Sequence, residues 1–292
     1  MADGAIHDVS DTALLIAAFR ALESEKTDAL FSDPLARTLA GDRGFAIAAS
    51  HPRGYITAWM TAIRTVIIDD MIMARVAQGF DTVMNLGAGL DTRPYRLPLP
   101  AGLRWIEVDF PPSIERKQAL LAGERPGCRL ERVGLDLTNP SARKSFLATS
   151  MAGGKVLVLT EGVLPYLDLV QAGSLAEDLR ARPEASAWIV DYFASQAIGL
   201  RGSSFRRSLK NAPFKFQPPE WTDFFTDRGW RAGESVYLME EAERRNRPMP
   251  LPLFVKCFFI LRALLSPSLR KIGKRSMGYV VLEPTGPTPR QA

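Results

Sequence analysis

Asp81-Thr-Val-Met-Asn-Leu-Gly-Ala-Gly-Leu-Asp-Thr-Arg-Pro-Tyr-Arg-Leu97 decides the fold. Thr82–Leu86 reads as a short apolar strand that runs into Gly87-Ala88-Gly89. Glycine has no Cβ, so the backbone there turns sharply and comes close to a ligand. In open α/β folds such a turn lies at the carboxyl end of a parallel sheet, where nucleotide-like cofactors bind. A bare Gly-x-Gly after an apolar strand is also an ordinary tight turn, so the residues downstream have to carry the reading.

Outward from this stretch, strand and helix patterns alternate. Strands are predicted at 82–86, 105–109, 130–135, 155–160, 187–192, 234–238 and 277–282, with helices at 113–121, 141–150, 168–181 and 219–228. Asn139-Pro140 supplies a cap and a helix-compatible proline to the second of these helices. Alternation of this kind predicts an α/β fold with a mostly parallel sheet covered on both faces. No clean short crossover separates the last two strands, which predicts an antiparallel edge. Residues 1–80 read as a helical cover, capped at Ser10 or Asp11, with a second helix from Ser32-Asp33-Pro34 and a third over about 54–77. Residues 81–283 form the core, with a lid insertion at about 194–218 and a basic apolar insertion at about 244–275. The tail 284–292 is expected to be disordered.

Composition bounds the function. At 292 residues and 46% hydrophobic, the chain can bury a sizeable core. Cys128 and Cys257 stand far apart, and the only histidines are His7 and His51. No metal site is expected, nor a Ser-His-Asp triad. No signal-peptide pattern opens the sequence, so the thiols are expected to be reduced in a cytoplasmic protein. Nine basic residues and no acid lie between Arg244 and Arg275, more than the whole net charge of +5. The basicity is therefore local, and no nucleic-acid surface is indicated. Within it, Leu253-Phe-Val-Lys-Cys-Phe-Phe-Ile-Leu-Arg-Ala-Leu-Leu265 is too short for a membrane span. A buried helix, a lid over a greasy substrate and a weak membrane-surface contact all remain open for it.

The chemistry gathers at strand ends. Asp109 ends the second strand roughly 20 residues past the glycine turn, the spacing of an acid that binds a cofactor ribose. Asp136 and Leu137 follow the third strand and would meet an adenine edge and face. Glu161 follows the fourth and would meet a cationic group. A dinucleotide loop wants a third glycine where Thr92 stands. Acids beside a pyrophosphate would repel it, whereas Asp91, Asp109, Asp136 and Glu161 suit the sulfonium of S-adenosylmethionine.

These residues also resemble a known family. Val83-Met-Asn-Leu-Gly-Ala-Gly-Leu-Asp-Thr-Arg-Pro-Tyr-Arg-Leu97, Glu107-Val-Asp109, Leu135-Asp-Leu137 and Leu159-Thr-Glu-Gly-Val-Leu-Pro-Tyr-Leu167 are similar to the leucine carboxyl methyltransferases. So are Thr12-Ala13, Arg20-Ala21 and Asp33-Pro34-Leu35-Ala36 near the start, and Pro213-Phe214 and Gly229-Trp230 later. The likeness runs to about Arg245 and fades beyond it. It implies a class I methyltransferase Rossmann-like sheet and S-adenosyl-L-methionine as cofactor. Bacterial members include polyketide carboxyl O-methyltransferases. The resemblance implies that Arg64 grips the cofactor's methionine carboxylate, with Arg20 loosely near it. Gly87, Ala88 and Gly89 would lie along the methionine portion, Asp109 on the ribose, Asp136 and Leu137 at the adenine, and Glu161 on the amino group.

The acceptor is the open end of the reading. A carboxylate is ionised at neutral pH and needs no general base, whereas a phenol with a pKa near ~10 benefits from one. With no histidine expected near the substrate, a carboxylate of a small hydrophobic or aromatic molecule is favoured over a phenol. Tyr166, Tyr192, Arg206 and Arg207 are the candidates for positioning it. A catalytically silent cofactor-binding regulator and an NAD-dependent reductase stay as alternatives.

Overall fold

The computed structural model describes residues 9–151, 153–194, 214–251 and 273–286. Most of the expected lid, with Arg206 and Arg207, and the apolar stretch 253–265 lie outside the described residues, as does most of the tail.

The elements in chain order are α1 (Val9–Ser24), α2 (Ala36–Ser50), α3 (Gly54–Ala77), β1 (Thr82–Leu86), α4 (Arg93–Arg96), β2 (Arg104–Asp109), α5 (Pro111–Leu120), β3 (Arg129–Gly134), α6 (Pro140–Ser150) and β4 (Val156–Thr160). A 3-10 turn (Leu164–Tyr166) follows, then α7 (Leu169–Arg180), β5 (Ala185–Phe193), α8 (Trp221–Thr226), β6 (Trp230–Tyr237), α9 (Leu238–Arg244) and β7 (Met277–Pro284). One sheet has the order β3-β2-β1-β4-β5-β7-β6. β1 to β5 pair in parallel, and β7 runs antiparallel to both β5 and β6. The expected antiparallel edge is therefore the β6–β7 pair, with the last strand in sequence placed inside the last but one.

Burial follows from position in the sheet. β1 and β4 are buried at every residue, the signature of central parallel strands covered on both faces. One face packs Met84, Leu86, Val158 and Trp188 under α6, α7 and α8. The other packs Val83, Trp105, Leu157 and Ile189 under Ile63, Ile67 and Met71 of α3. Among the described residues no helix is long and apolar enough to cross a membrane.

Two of the expected helix starts need correcting. α1 already begins at Val9, and Asp11 accepts from Arg43 Nε at 2.8 Å and Nη2 at 2.6 Å, which ties α1 to α2. α2 begins at Ala36, whose N–H donates to Asp33 Oδ1 at 3.1 Å, and Gly41 with φ 56° breaks its path. Asn139 does cap α6, accepting from Ala142 N–H at 3.1 Å.

A charged group is buried in the β2 layer. Glu107 and Lys117 are both 0% exposed; Lys117 Nζ donates to Glu107 Oε1 at 2.8 Å and Arg132 Nε to Oε2 at 2.9 Å. Removing one partner of a buried pair strands the other's charge. Glu107→Gln, which leaves the buried Lys117 ammonium without its carboxylate, is expected to lower unfolding stability by about 3 kcal/mol in urea titration, and adding Lys117→Met should return part of that loss.

Candidate functional site

The chain turns back at β1, since β2 and β3 lie on one side of it and β4 and β5 on the other. Outside the carboxyl ends of strands at such a reversal, open α/β sheets form their ligand crevice. Here the crevice is a cavity of about 770 Å³ roofed by α1 and α3. Gly87, Ala88, Gly89, Asp109, Asp136, Leu137 and Glu161 border it, as do Arg20 and Arg64 from the helical cover and Tyr166 from the 3-10 turn.

The glycine turn is anchored as well as open. Gly87 and Ala88 N–H groups both donate to Val108 O, at 2.7 and 3.0 Å. Asp109 Oδ2 accepts from Gly89 N–H at 2.7 Å and Oδ1 from Phe110 N–H at 2.7 Å, so this acid shapes the loop while it borders the cavity. Gly87 has φ 74°, and a Cβ built on it runs into Val163 Cγ2. Asp136 closes a turn, its Oδ1 accepting from Thr138 N–H at 2.8 Å and Oγ1 at 2.7 Å.

Below the loop lies a buried ionic network. Arg93, 3% exposed in its side chain, meets Asp69 at 2.7 Å, Asp91 at 2.8 Å and Glu161 at 2.8 Å. Arg96 also binds Asp69, at 2.6 Å. Arg20 donates to Asp33 Oδ2 at 2.8 Å and to Leu90 O at 2.6 Å, and Thr92 Oγ1 donates to the same Asp33 oxygen at 2.6 Å. Burial would raise the Asp91 carboxyl, but Arg93 beside it, with Lys117 and Arg96, holds it well below the usual carboxylate range. Burial would likewise raise Glu161; Arg93 and Arg64 keep it below its ordinary value. The acidic excess expected from the strand ends is thus reduced, because Asp91 and Glu161 already have arginine partners.

Two arginines of this network keep a spare donor. Arg96 Nε lies 4.0 Å from Asp33 Oδ2 and Arg64 Nε 3.0 Å from Glu161 Oε1, an ion contact without hydrogen-bond geometry; among the described residues neither buried Nε has a hydrogen-bond partner. A buried donor of this kind calls for an acceptor.

The sequence reading needs three corrections around the cavity. Tyr192 does not border it. Side chains alternate along a strand, and Tyr192 takes the opposite face of β5, its ring 5.2 Å from that of Trp221 and 5.7 Å from Tyr237. Asp191 takes the cavity face instead and is 5% exposed. It accepts from Gly162 N–H at 2.9 Å and bonds the Tyr279 hydroxyl, and burial pushes its carboxyl up to about 6. Asp191 follows the same rule as Asp109 and Glu161, an acid at a strand's carboxyl end, and that rule would have found it. Lastly, His51 borders the cavity although no histidine was expected there; burial lowers its imidazole, which is then neutral at pH 7. The wall beyond Asp191 is apolar and aromatic, with Met60, Tyr166, Phe193, Phe214 and Met277. Tyr166 and Phe214 meet edge to face at 5.4 Å.

The chain is similar to known proteins in family and in fold. Residues 13–180 match the family described as Leucine carboxyl methyltransferase. A protein of Parafrankia sp. is 31% identical over 270 residues, covering 86% of each chain, and one of Streptomyces coelicolor is 32% identical over 258 residues, covering 82% of this chain and 88% of the relative. Both are named as S-adenosyl-L-methionine-dependent methyltransferases. The crystal structure of a DUF574 family protein from Streptomyces avermitilis superposes with a TM-score of 0.55 at 13% identity, over 92% of this chain and 96% of that one.

The clash at Gly87 is with one methyl group, which makes it separable from the backbone effect. Gly87→Ala is expected to be destabilising in thermal unfolding, and Val163→Ala in the same chain should recover part of the loss. What remains is the left-handed backbone cost of about 1–2 kcal/mol. Additive effects of the two substitutions would contradict the contact.

Proposed function

Because the chain belongs to the leucine carboxyl methyltransferase family and is an S-adenosyl-L-methionine-dependent methyltransferase, we propose that it methylates a carboxylate oxygen of a small hydrophobic or aromatic molecule, of the polyketide-like kind. The observation behind this is the cavity itself, ion-lined at the glycine turn and apolar beyond Asp191. At about 770 Å³ it lies in the upper part of the ~300–1,000 Å³ range of ligand pockets, room for a donor and a small acceptor together.

The residues fit the cofactor. The unpartnered Nε of Arg64 suits a carboxylate, and Glu161 beside it an ammonium. Side-chain-free Gly87 leaves the close approach that a methionine chain needs. Asp109 stands for the ribose, Asp136 with Leu137 for the adenine, and Ala88 and Gly89 continue the floor. Arg20 supports the loop through Leu90 O while bordering the same space. When bound, S-adenosylmethionine supplies an electrophilic methyl on a sulfonium, displaced in line by the acceptor.

The chain's own part is positioning and exclusion of water. α1 and α3 roof the cavity, and the Met60, Phe193, Phe214 and Met277 wall would hold an apolar acceptor. An anion approaching a cation loses charge as it reacts, which a water-poor wall favours. Arg206 and Arg207 remain the proposed anchors for a distal anionic group. A hydroxyl acceptor is the second reading, favoured by Asp191 and His51, either of which is suited to accept its proton at neutral pH.

Two measurements test this. Isothermal titration with S-adenosylhomocysteine should show binding, weakened at least about tenfold in Arg64→Ala, the loss of one charge-assisted contact. Turnover of matched aryl carboxylates and phenols should favour the acids, with a rate at saturating acid that is level from about pH 7 to 9, since a carboxylate is already ionised there. Turnover of phenols alone, with a rate that falls as pH drops through the Asp191 range, would replace the carboxylate by the hydroxyl reading.

A further inference from the structure

Asp191 lines the cavity near the end of β5, where Arg64 and Glu161 act on its charge. It shares a strand face with Ile189 and with Phe193, two residues further on, whose register partner Met277 also lines the cavity. Its register partner on β7 is Tyr279, whose hydroxyl it bonds, and Gly162 N–H holds Oδ2 at 2.9 Å. A carboxylate offers about four lone-pair sites, so capacity remains toward the cavity. The charged and titratable groups facing it are Arg64 from α3, Glu161 at the end of β4, Tyr166 from the 3-10 turn and Tyr279 from β7. Among the described residues Arg64, the one cation of this set, does not hydrogen-bond it and is already in ion contact with Glu161.

We propose that Asp191 binds the acceptor, holding one oxygen of its carboxylate through a single shared proton, so that each acid molecule bound takes up one proton from solution. This rests on the carboxylate reading given above.

Two magnitudes decide between proton uptake and tolerated repulsion. Two carboxylate charges about 4 Å apart, at an effective dielectric near ~20, oppose binding by on the order of a thousandfold. Protonating Asp191, whose carboxyl sits at about 6, costs only about tenfold at pH 7. Uptake wins, as in other paired carboxyls that share a site and titrate together. One acceptor oxygen is then occupied by the shared hydrogen. The other keeps the negative charge and attacks, forming the C–O bond as the methyl–sulfur bond breaks and its electron pair stays on sulfur. The ester that forms is neutral, and Asp191 returns its proton to water when the ester leaves. Over a full cycle no proton is gained or lost.

The sign of the pH dependence follows. Free Asp191 is ionised above about 6, so acid affinity should fall about tenfold per pH unit from about 7 to 9. The test uses the full chain saturated with S-adenosylhomocysteine, titrated calorimetrically at pH 7.5 with benzoate, 1- and 2-naphthoate and anthracene carboxylates, and with the matching phenols. Each titration is run in phosphate and in Tris, whose different ionisation heats report the protons exchanged. About one proton taken up per acid is expected, together with the pH slope. Asp191→Asn should bind acid with neither, and its binding of S-adenosylhomocysteine verifies that the variant folds. Should the variant not fold, proton count and slope in the unaltered protein carry the test. Acids that bind with no proton uptake and a flat pH response would overturn the role of Asp191. Binding of the phenols alone, or of neither set, would instead overturn the carboxylate reading beneath it.

Discussion

Arg93 holds three carboxylates at once, and the glycine-turn end of the cavity is built around that fact. Asp69 belongs to α3, Asp91 to the glycine loop and Glu161 to the end of β4. One nearly buried guanidinium therefore fixes the cover, the loop and the sheet relative to each other. Burial alone would lower Arg93, but Asp91, Glu161 and Asp69 together hold it well above the ordinary range. Buried ion pairs add little net stability compared with apolar packing. Their usefulness here lies in geometry: the planar fork of donors accepts few arrangements, so the loop stays in the shape that keeps Gly87 against Val163.

Thr92 shows how the same constraint reshapes a nucleotide loop. A dinucleotide fold places a small residue there to admit a helix beside the pyrophosphate. In this chain Thr92 is fully buried and its hydroxyl reaches Asp33 in the helical cover, which Arg20 also holds. The position that would let a helix pack closely on the strand has become a joint between cover and core. Arg20 is accordingly as much a clamp on Leu90 O as a wall of the cavity.

Much of the scaffold could be read from local pattern. β1 spans Thr82–Leu86 and α3 spans Gly54–Ala77, as the apolar runs and glycine punctuation predict, and the other strand limits shift by a few residues. Strong periodicity and turn residues act over short range, so they survive in the sequence. What escaped depends on contacts remote along the chain. His51 reaches the cavity wall only because the cover folds over the sheet. Tyr192 is the residue expected from sequence at the acceptor, yet strand parity assigns the cavity side to its neighbour Asp191. The pairing of Asp191 with Tyr279 crosses from β5 to β7, and no local pattern announces it. Asp136 serves a turn through Thr138 as well as the cavity edge, two uses that a strand-end rule cannot separate.

The place of β7 bears on how the molecule comes into being. Met277–Pro284 lies between β5 and β6 and hydrogen-bonds to both. During synthesis, β6 leaves the ribosome before the strand that must join it to the sheet. Among the described residues, until 277–284 emerge, β5 has an open edge, β6 has no neighbour and the cavity lacks Met277, Gly278 and Tyr279 from its wall. Unpaired strand edges invite association with other chains, so the nascent protein is exposed to it until β7 appears. The part of the cavity wall that carries Tyr279 therefore forms only after the other described strands have been made.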